Sequence, residues 1–120
     1  MEYMILIHGD ESIFPPGPGN AGFEGVSASF LAYNQLLIDG GHWVNGASLR
    51  PTATATTVRR SPGAEPQIVD GPFAETKEQL AGYYLISAKD LDEAIDLAKK
   101  IPIEAGSVEV RPVAFRTDAA

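Results

Sequence analysis

The chain has 120 residues and no cysteine, which is the size of one domain and excludes disulfides, thiolate zinc sites and a Cys nucleophile. Nine Lys and Arg residues against sixteen Asp and Glu residues give a formal net charge of −7, and such a charge repels nucleic-acid phosphates and anionic lipids. We therefore expect neither nucleic acid nor a membrane surface as a partner. A hydrophobic fraction of 44% predicts a globular domain with its own core.

The first third of the chain predicts a strand, a long loop and a helix. Tyr3–Ile7 is a continuous apolar run, which is typical of a strand in the middle of a sheet. Residues 9–22 are rich in proline and glycine and predict a loop. The spacing from Phe23 to Asp39 predicts a helix that is capped at Ser27 and stopped by Gly40–Gly41. The apolar stripe of this helix consists of Val26, Phe30, Tyr33 and Leu37.

The middle of the chain predicts short strands separated by turns. These strands are His42–Leu49, Thr52–Arg60, Gln67–Val69 and Leu80–Ala88. Residues 61–64 form a turn between the second and third of them, and residues 70–73 interrupt the pattern before the fourth.

The last third contains the clearest helix. Asp90 and Glu93 have the spacing of a capping box, and Pro102 ends the helix. Its predicted buried stripe consists of Leu91, Ala94, Ile95, Ala98 and Ile101. Ser107–Val113 alternates as a final strand, and residues 114–120 predict a loose tail.

The predicted order is β-α-β-β-β-β-α-β in one domain, residues 1–120. Without the middle hairpin this is the split βαβ unit of a ferredoxin-like α+β fold, with two helices on one face of an antiparallel sheet. The other face is left bare, and it must be covered by something. We expect a second copy of the chain to cover it in a homodimer with its sheets packed face to face. The apolar side chains expected on that bare face are Ile5, Ile7, Tyr84 and Ile86.

One stretch also resembles a known family. From Asp70 the chain reads Asp-Gly-Pro-Phe-Ala-Glu-Thr-Lys-Glu-Gln-Leu-Ala-Gly-Tyr-Tyr-Leu-Ile, which closely resembles the signature of the YCII-related proteins, in particular the branch named for its DGPF sequence. The resemblance continues at residues 3–7, 53–58, 90–94 and 106–112. It implies a dimeric ferredoxin-like fold of the α/β barrel kind. It also implies a small cytoplasmic protein. Some members of the family are encoded beside or fused to extracytoplasmic-function sigma factors, and an enzymatic role is suggested for the family.

The wider YCII group is associated with a His–Asp pair, and this chain departs from that pattern. Its two histidines, His8 and His42, do not stand at positions that match the pair. The opening residues Met1–His8 have no basic region and only a short apolar run, so we expect neither a signal peptide nor a membrane span. A cytoplasmic location is therefore the expectation from the residues as well.

His8 and Asp70 are the candidate catalytic residues. His8 ends the first predicted strand, where an open sheet presents side chains to a crevice and an imidazole can act as acid or base. The simpler alternative is a polar residue at a strand end, and His42 is expected at the surface where a strand starts. The Asp70 carboxylate either accepts backbone N–H groups of the turn it opens, or serves as a general base or as the orienter of a histidine.

Four further residues are candidates for binding a ligand: Phe73, Lys77, Arg50 and Arg111. Phe73 is expected in a dimer contact or in a pocket wall. Lys77 either belongs to a charged edge or a dimer salt-bridge ladder, or balances an anionic ligand near Asp70. Arg111 shares one face of the last strand with Glu109 and has the same two alternatives.

Arg50 belongs with Arg59 and Arg60 to the one basic cluster of the sequence, which could anchor a ligand carboxylate. The histidines lack the spacing of a metal site, so no metal is expected. The prolines around Gly17 and Gly19 remove amides that a phosphate-binding loop needs, so no cofactor is expected.

Three functions stay open at this point. The first is a cofactor-independent enzyme that transfers protons on a small polar metabolite, with Asp70 and His8 in one pocket. The second is a dimeric module that binds a small molecule and regulates transcription beside a sigma factor. The third is a dimer whose only role is structural.

Overall fold

The computed structural model describes residues 1–11 and 28–118. In chain order the helices and strands are β1 (Glu2–Gly9), α1 (Ala28–Asp39), β2 (Trp43–Ser48), a 3-10 turn (Thr52–Thr54), β3 (Thr56–Arg59), β4 (Gln67–Asp70), β5 (Gln79–Ser87), α2 (Leu91–Lys99) and β6 (Ser107–Pro112). No helix within these ranges is long and apolar enough to cross a membrane. The predicted loop from residue 12 onward and the predicted cap at Ser27 lie outside the described residues.

Four strands form one antiparallel sheet in the order β2-β5-β1-β6, with β1 and β5 at its centre. This is the order of the ferredoxin-like fold, and the predicted α+β class is confirmed. The strands β3 and β4 pair only with each other, as a hairpin inserted between β2 and β5. We call residues 56–70 the arm.

The core lies between one face of the four-stranded sheet and the two helices. Ile5 and Ile86 are fully buried there with Leu37 of α1, and α2 contributes Ala94 and Leu97. The prediction that Ile5, Ile7, Tyr84 and Ile86 line the bare face of the sheet is therefore wrong, because all four belong to this core. Both faces of β1 carry apolar side chains, so alternation alone could not distinguish them.

The second face of the sheet carries the opposite set of side chains, and we call it the open face. Met4 is paired with Leu85 of β5 and with Arg111 of β6. Leu6 is paired in the same way with Tyr83 and Glu109. Leu85 is buried but lies outside the helix-covered core, whereas Met4 and Leu6 are half-buried.

The helix ends follow their local signals. Gly41 has a φ of +76°, the left-handed conformation that ends a helix and that glycine adopts without a steric penalty. The Asp90 side chain accepts a hydrogen bond from the Glu93 backbone N–H at 2.9 Å, so the predicted cap of α2 is confirmed. The predicted stripe of α2 is wrong at Leu91, which is 46% exposed, while Leu97 takes a buried position.

The predicted strand Thr52–Arg60 is correct only in its second half. Its first part is the 3-10 turn, in which the Thr54 hydroxyl donates to the Pro51 carbonyl at 2.7 Å. The Glu11 carboxylate accepts two hydrogen bonds from Thr52, from the backbone N–H at 2.9 Å and from the hydroxyl at 2.8 Å. A distant carboxylate thus caps the turn, and strand propensity could not reveal it.

Candidate functional site

His8 lies at the end of β1, on the open face, beside a carboxylate from a neighbouring strand. Its Nε2 atom is 3.4 Å from Oε1 of Glu109 on β6. The His8 side chain is 29% exposed and that of Glu109 is 50% exposed, so solvent reaches both. The two meet because antiparallel pairing sets Glu109 opposite Leu6, two residues before His8 and on the same face.

The backbone around His8 is irregular. The pairing of β1 with β5 shifts register between Ile7 and His8, and such bulges change the direction in which a side chain points. On the other side, Gly106 has a φ of +132° and an added Cβ there would collide with the His8 carbonyl. Glycine therefore lets the turn before β6 approach the end of β1 closely.

Two glutamates, Glu78 and Glu11, connect the segments at this end of the sheet through hydrogen bonds. The Ser107 hydroxyl donates to Oε1 of Glu78 at 2.6 Å and so links the starts of β6 and β5. The backbone N–H of Glu11 donates to Oε1 of Gln79 at 3.2 Å. Because Glu11 also caps the turn at Thr52, the base of the arm is attached to the same end of the sheet as His8.

This arrangement provides one imidazole and one carboxylate at the edge of an apolar face. A carboxylate beside an imidazole orients the ring and determines which nitrogen carries the proton. The imidazole can then take or give a proton at the atom that faces a bound molecule. Among residues 1–11 and 28–118, no group of three or more His, Asp or Glu side chains is placed to hold a metal ion.

The structure does not bring Asp70 to His8. Asp70 ends β4 opposite Thr56, in the arm, and its side chain is exposed. Within the described part of the chain its carboxylate has neither an ion pair with His8 nor a hydrogen bond to the turn that follows. That turn is held by the Gly71 N–H, which donates to the Ala55 carbonyl at 2.8 Å, and by the Thr57 hydroxyl, which donates to the Gly71 carbonyl at 2.7 Å.

The four predicted ligand-binding residues are dispersed. Phe73 follows the arm and is 79% exposed, with its carbonyl accepting a hydrogen bond from Arg59 at 3.2 Å. Lys77 is exposed in the segment before β5, and Arg50 is exposed before the 3-10 turn. Arg111 alone among them lies on the open face with His8, opposite Met4.

His42 has a structural role instead. Its Nδ1 atom is 2.8 Å from the Ser87 carbonyl oxygen and 3.8 Å from Oε1 of Glu93. The ring is half-buried just before β2, and it connects the edge of the sheet to the first turn of α2. The sequence predicts His42 at the surface where a strand starts. In the structure it stands just before β2 and makes the two contacts given above.

Sequence reasoning missed two further features. From the sequence alone, Glu109 is named only as a neighbour of Arg111. Antiparallel pairing of the first and last predicted strands is the signal that would set Glu109 beside His8. The second feature is a buried pair of tyrosines under α1, with ring centres 5.3 Å apart. The Tyr33 hydroxyl donates to the Leu97 carbonyl at 2.8 Å and the Tyr84 hydroxyl donates to Oδ1 of Asn34.

Burial controls the ionisation of both tyrosines, because a phenolate loses its hydration inside the core. It raises the pKa of Tyr84 to about 12. Burial, and secondarily the neighbouring Tyr84, raises the pKa of Tyr33 further still. Both phenols are therefore neutral hydrogen-bond donors at physiological pH and serve the core rather than proton transfer.

A groove lies on the helix side of the molecule, away from His8. It encloses about 350 Å³ between α2 and β6. Six apolar side chains and one lysine line it: Ile95, Ala98, Lys99, Ile101, Ile103, Val108 and Val110. Its chemistry suits an apolar molecule with a negative end.

The sheet order and the two helices on one face define a ferredoxin-like α+β protein with a half-covered sheet. The family model of the YCII-related domain matches residues 1–115, so the chain belongs to the YCII-related family. It is similar to an uncharacterised protein of Rhizobium meliloti (strain 1021), with 41% identity over 118 residues that cover 96% of this chain and 94% of the relative.

Proposed function

We propose that this YCII-related protein is a cofactor-independent enzyme that transfers protons on a small polar metabolite. His8 is the catalytic acid and base, and Glu109 is its positioning residue. The observation that carries the proposal is the 3.4 Å approach of Nε2 of His8 to Oε1 of Glu109 at a solvent-accessible end of the central strand. The Asp-Gly-Pro-Phe sequence at residues 70–73 supports assignment to the DGPF branch of the family.

The surroundings of the pair support binding of a small polar molecule. The neighbouring apolar side chains Leu6 and Tyr83 exclude part of the solvent on the open face. Arg111 stands two residues after Glu109 on β6, hence on the same face and about 7 Å along the strand.

A second copy of the chain completes the proposal. Met4 and Leu6 are only half-buried on a face that the two described helices leave uncovered, and an apolar strip of this kind is stabilised by burial in an interface. We place the homodimer contact there. The molar mass in solution, measured by light scattering over a concentration series, tests this part: a monomer at every concentration contradicts it.

Proton transfer is tested without knowing the natural substrate. The wild type is incubated in D2O with a panel of small keto acids, hydroxy acids and sugar phosphates, and proton NMR detects deuterium incorporation or new products. The expected result is exchange in at least one compound by the wild type and its loss in His8→Asn, with a partial loss in Glu109→Gln. His42→Asn is the matched control because His42 serves structure.

Exchange that survives in His8→Asn would show that another group transfers the proton. Absence of exchange across the whole panel would contradict an enzyme acting on these compound classes.

A second candidate function is a binding module, and the groove between α2 and β6 favours it. The proposed ligand is a short fatty acid such as octanoate, whose chain would contact the apolar lining and whose carboxylate would lie at Lys99. Binding to the native state raises the unfolding temperature. The binding module is supported if octanoate stabilises the protein, if octanol does so less, and if Lys99→Met removes the difference.

A further inference from the structure

The arm carries apolar side chains that are exposed in the described part of the chain. Val58 is 57% exposed and Ile68 is 75% exposed. Neither β3 nor β4 packs against a helix or a strand of the main sheet beyond isolated contacts. The radius of gyration of 16.0 Å exceeds the roughly 14 Å typical of a compact chain of this length.

The two faces of the arm differ in their contacts. Pairing sets Val58 opposite Ile68 and Thr56 opposite Asp70, so these four side chains share one face. The other face is attached to the following segment, through the Thr57 hydroxyl on Gly71 and through Arg59 on Phe73. Within residues 1–11 and 28–118 the first face, which we call the arm face, has no such attachment, and it consists of an apolar pair next to one carboxylate.

A two-stranded hairpin with four residues in each strand is marginally stable by itself in water. Burying the Val58 and Ile68 side chains would stabilise it. The open face of the main sheet offers an apolar surface of Met4 and Leu6, with Arg111 opposite Met4 and Glu109 opposite Leu6. The arm face is apolar with the Asp70 carboxylate at one end. The open face is apolar with the positive charge of Arg111 beside Met4 and the negative charge of Glu109 beside Leu6.

We propose that, in the homodimer, the arm of each copy packs on the open face of the other, with Asp70 paired to the partner subunit's Arg111. This inference rests on the homodimer proposed above and names the segment that builds it. Charge complementarity selects a second copy as the occupant, since each copy supplies both surfaces and a symmetric dimer uses each of them twice. Because Glu109 lies two residues from Arg111, the docked arm forms a wall of the partner's His8 site.

Charge reversal tests the pairing of Asp70 with Arg111. Asp70→Arg and Arg111→Asp each remove the pair and are expected to raise the dimer dissociation constant by at least about tenfold. The double variant restores the pair with reversed polarity and is expected to return the constant to within about threefold of the wild type. Glu75→Arg is the matched control, because it reverses an exposed carboxylate just outside the arm. All constants come from sedimentation equilibrium.

An apolar substitution tests the docking of the arm face. Ile68→Ser is expected to weaken the dimer, and its circular dichroism spectrum should equal that of the wild type because Ile68 is exposed within one chain. Leu6→Ser removes an apolar side chain from the open face and is expected to weaken the dimer to a similar degree.

The outcomes separate this inference from the proposed function. A dimer that is weakened by Leu6→Ser but not by Ile68→Ser or by Asp70→Arg keeps the dimer proposal and overturns the arm docking. Single reversals that weaken the dimer without recovery in the double variant overturn the pairing of Asp70 with Arg111. A wild type that is monomeric overturns both. If Ile68→Ser and Asp70→Arg weaken the dimer but the wild type exchanges no deuterium into the tested compounds, the arm docking is upheld and the proposed catalysis is contradicted.

Discussion

The two faces of the four-stranded sheet are built from the same strands, yet they serve different purposes. On the covered face Ile5 and Ile86 are fully buried under the two helices. On the open face Met4 and Leu6 are half-buried, and the charged residues of β6 stand beside them. The covered face provides the stability of the single chain, while the open face keeps apolar and ionisable groups available for a ligand or a partner.

Polar groups on the two faces differ in the same way. The Tyr33 and Tyr84 hydroxyls of the covered side donate to groups of the same chain, because an unpaired hydroxyl in a core loses its hydrogen bonds to water. His8 and Glu109 are paired but keep contact with solvent. Ionisable groups that remain accessible to solvent can exchange protons with a bound molecule, and in the described chain His8 and Glu109 meet this condition on the open face.

The largest difference is expected from a matched pair of truncations in β1. Ile5→Ala leaves a cavity in the core and should lower the free energy of unfolding by about 2–5 kcal/mol at every protein concentration. Leu6→Ala should cost less in dilute protein and, under the proposed homodimer, more at high concentration, because a second copy would cover Leu6 there. Urea unfolding at two concentrations measures both. Equal losses for the two variants would show that the faces are equally buried in the single chain.

Alkaline pH should weaken the covered face selectively. In the unfolded chain Tyr84 ionises near its ordinary pKa of 10, but burial raises its pKa to about 12 in the folded chain. Below about pH 10 the Tyr84 hydroxyl is protonated in both states and does not change the free energy of unfolding. As the pH rises from 10 toward 12, the unfolded chain loses this proton first, and the free energy of unfolding falls by roughly 2 kcal/mol at most. Tyr84→Phe should reduce the slope of unfolding free energy against pH in this interval, and an unchanged slope would contradict it.

A smaller effect is expected when single hydroxyls are removed. Tyr33→Phe leaves the Leu97 carbonyl without its donor and should cost about 1 kcal/mol. Tyr83→Phe, on the half-exposed open face, is the control and should change the unfolding free energy by less than about 0.5 kcal/mol. Thermal unfolding of both variants at neutral pH measures these changes. A larger loss of unfolding free energy in Tyr83→Phe than in Tyr33→Phe would contradict the expected difference between the two faces.

The smallest effect belongs to the His8–Glu109 pair. Both side chains reach solvent, and ion pairs of this kind contribute about 0–1 kcal/mol. Glu109→Gln should therefore leave the unfolding free energy within about 0.5 kcal/mol of the wild type, while it lowers proton exchange. Glu104→Gln, an exposed acidic residue outside the site, is the control. A loss above 2 kcal/mol would make Glu109 a structural residue.

Much of the fold could be predicted because its signals are local. The capping Asp90 and the glycine at position 41 act on neighbouring residues, and both functioned as predicted. The strand β5, predicted as Leu80–Ala88, is found at Gln79–Ser87. The YCII-related resemblance added the family, which the match over residues 1–115 confirms.

The candidate site could be predicted only in part. The end of β1 was identified correctly as the place of His8, but its partner is Glu109, 101 positions further along the chain, rather than Asp70. That pairing depends on the register of β6 against β1, and register is determined by side-chain packing across a whole sheet. The distant Glu11 carboxylate that converts Thr52–Thr54 into a 3-10 turn is a second contact of this kind.

By itself the sequence determined the α+β class, the two helices and most of the strands, because periodicity, caps and turn residues act over a few positions. The resemblance of its motifs identified the family. Tertiary structure alone decided which face of β1 is covered. Tyr3, Ile5 and Ile7 alternate with Met4 and Leu6, and both sets are apolar enough to form a core. Only the positions of the helices over the sheet make one set the core and leave the other, with His8, accessible.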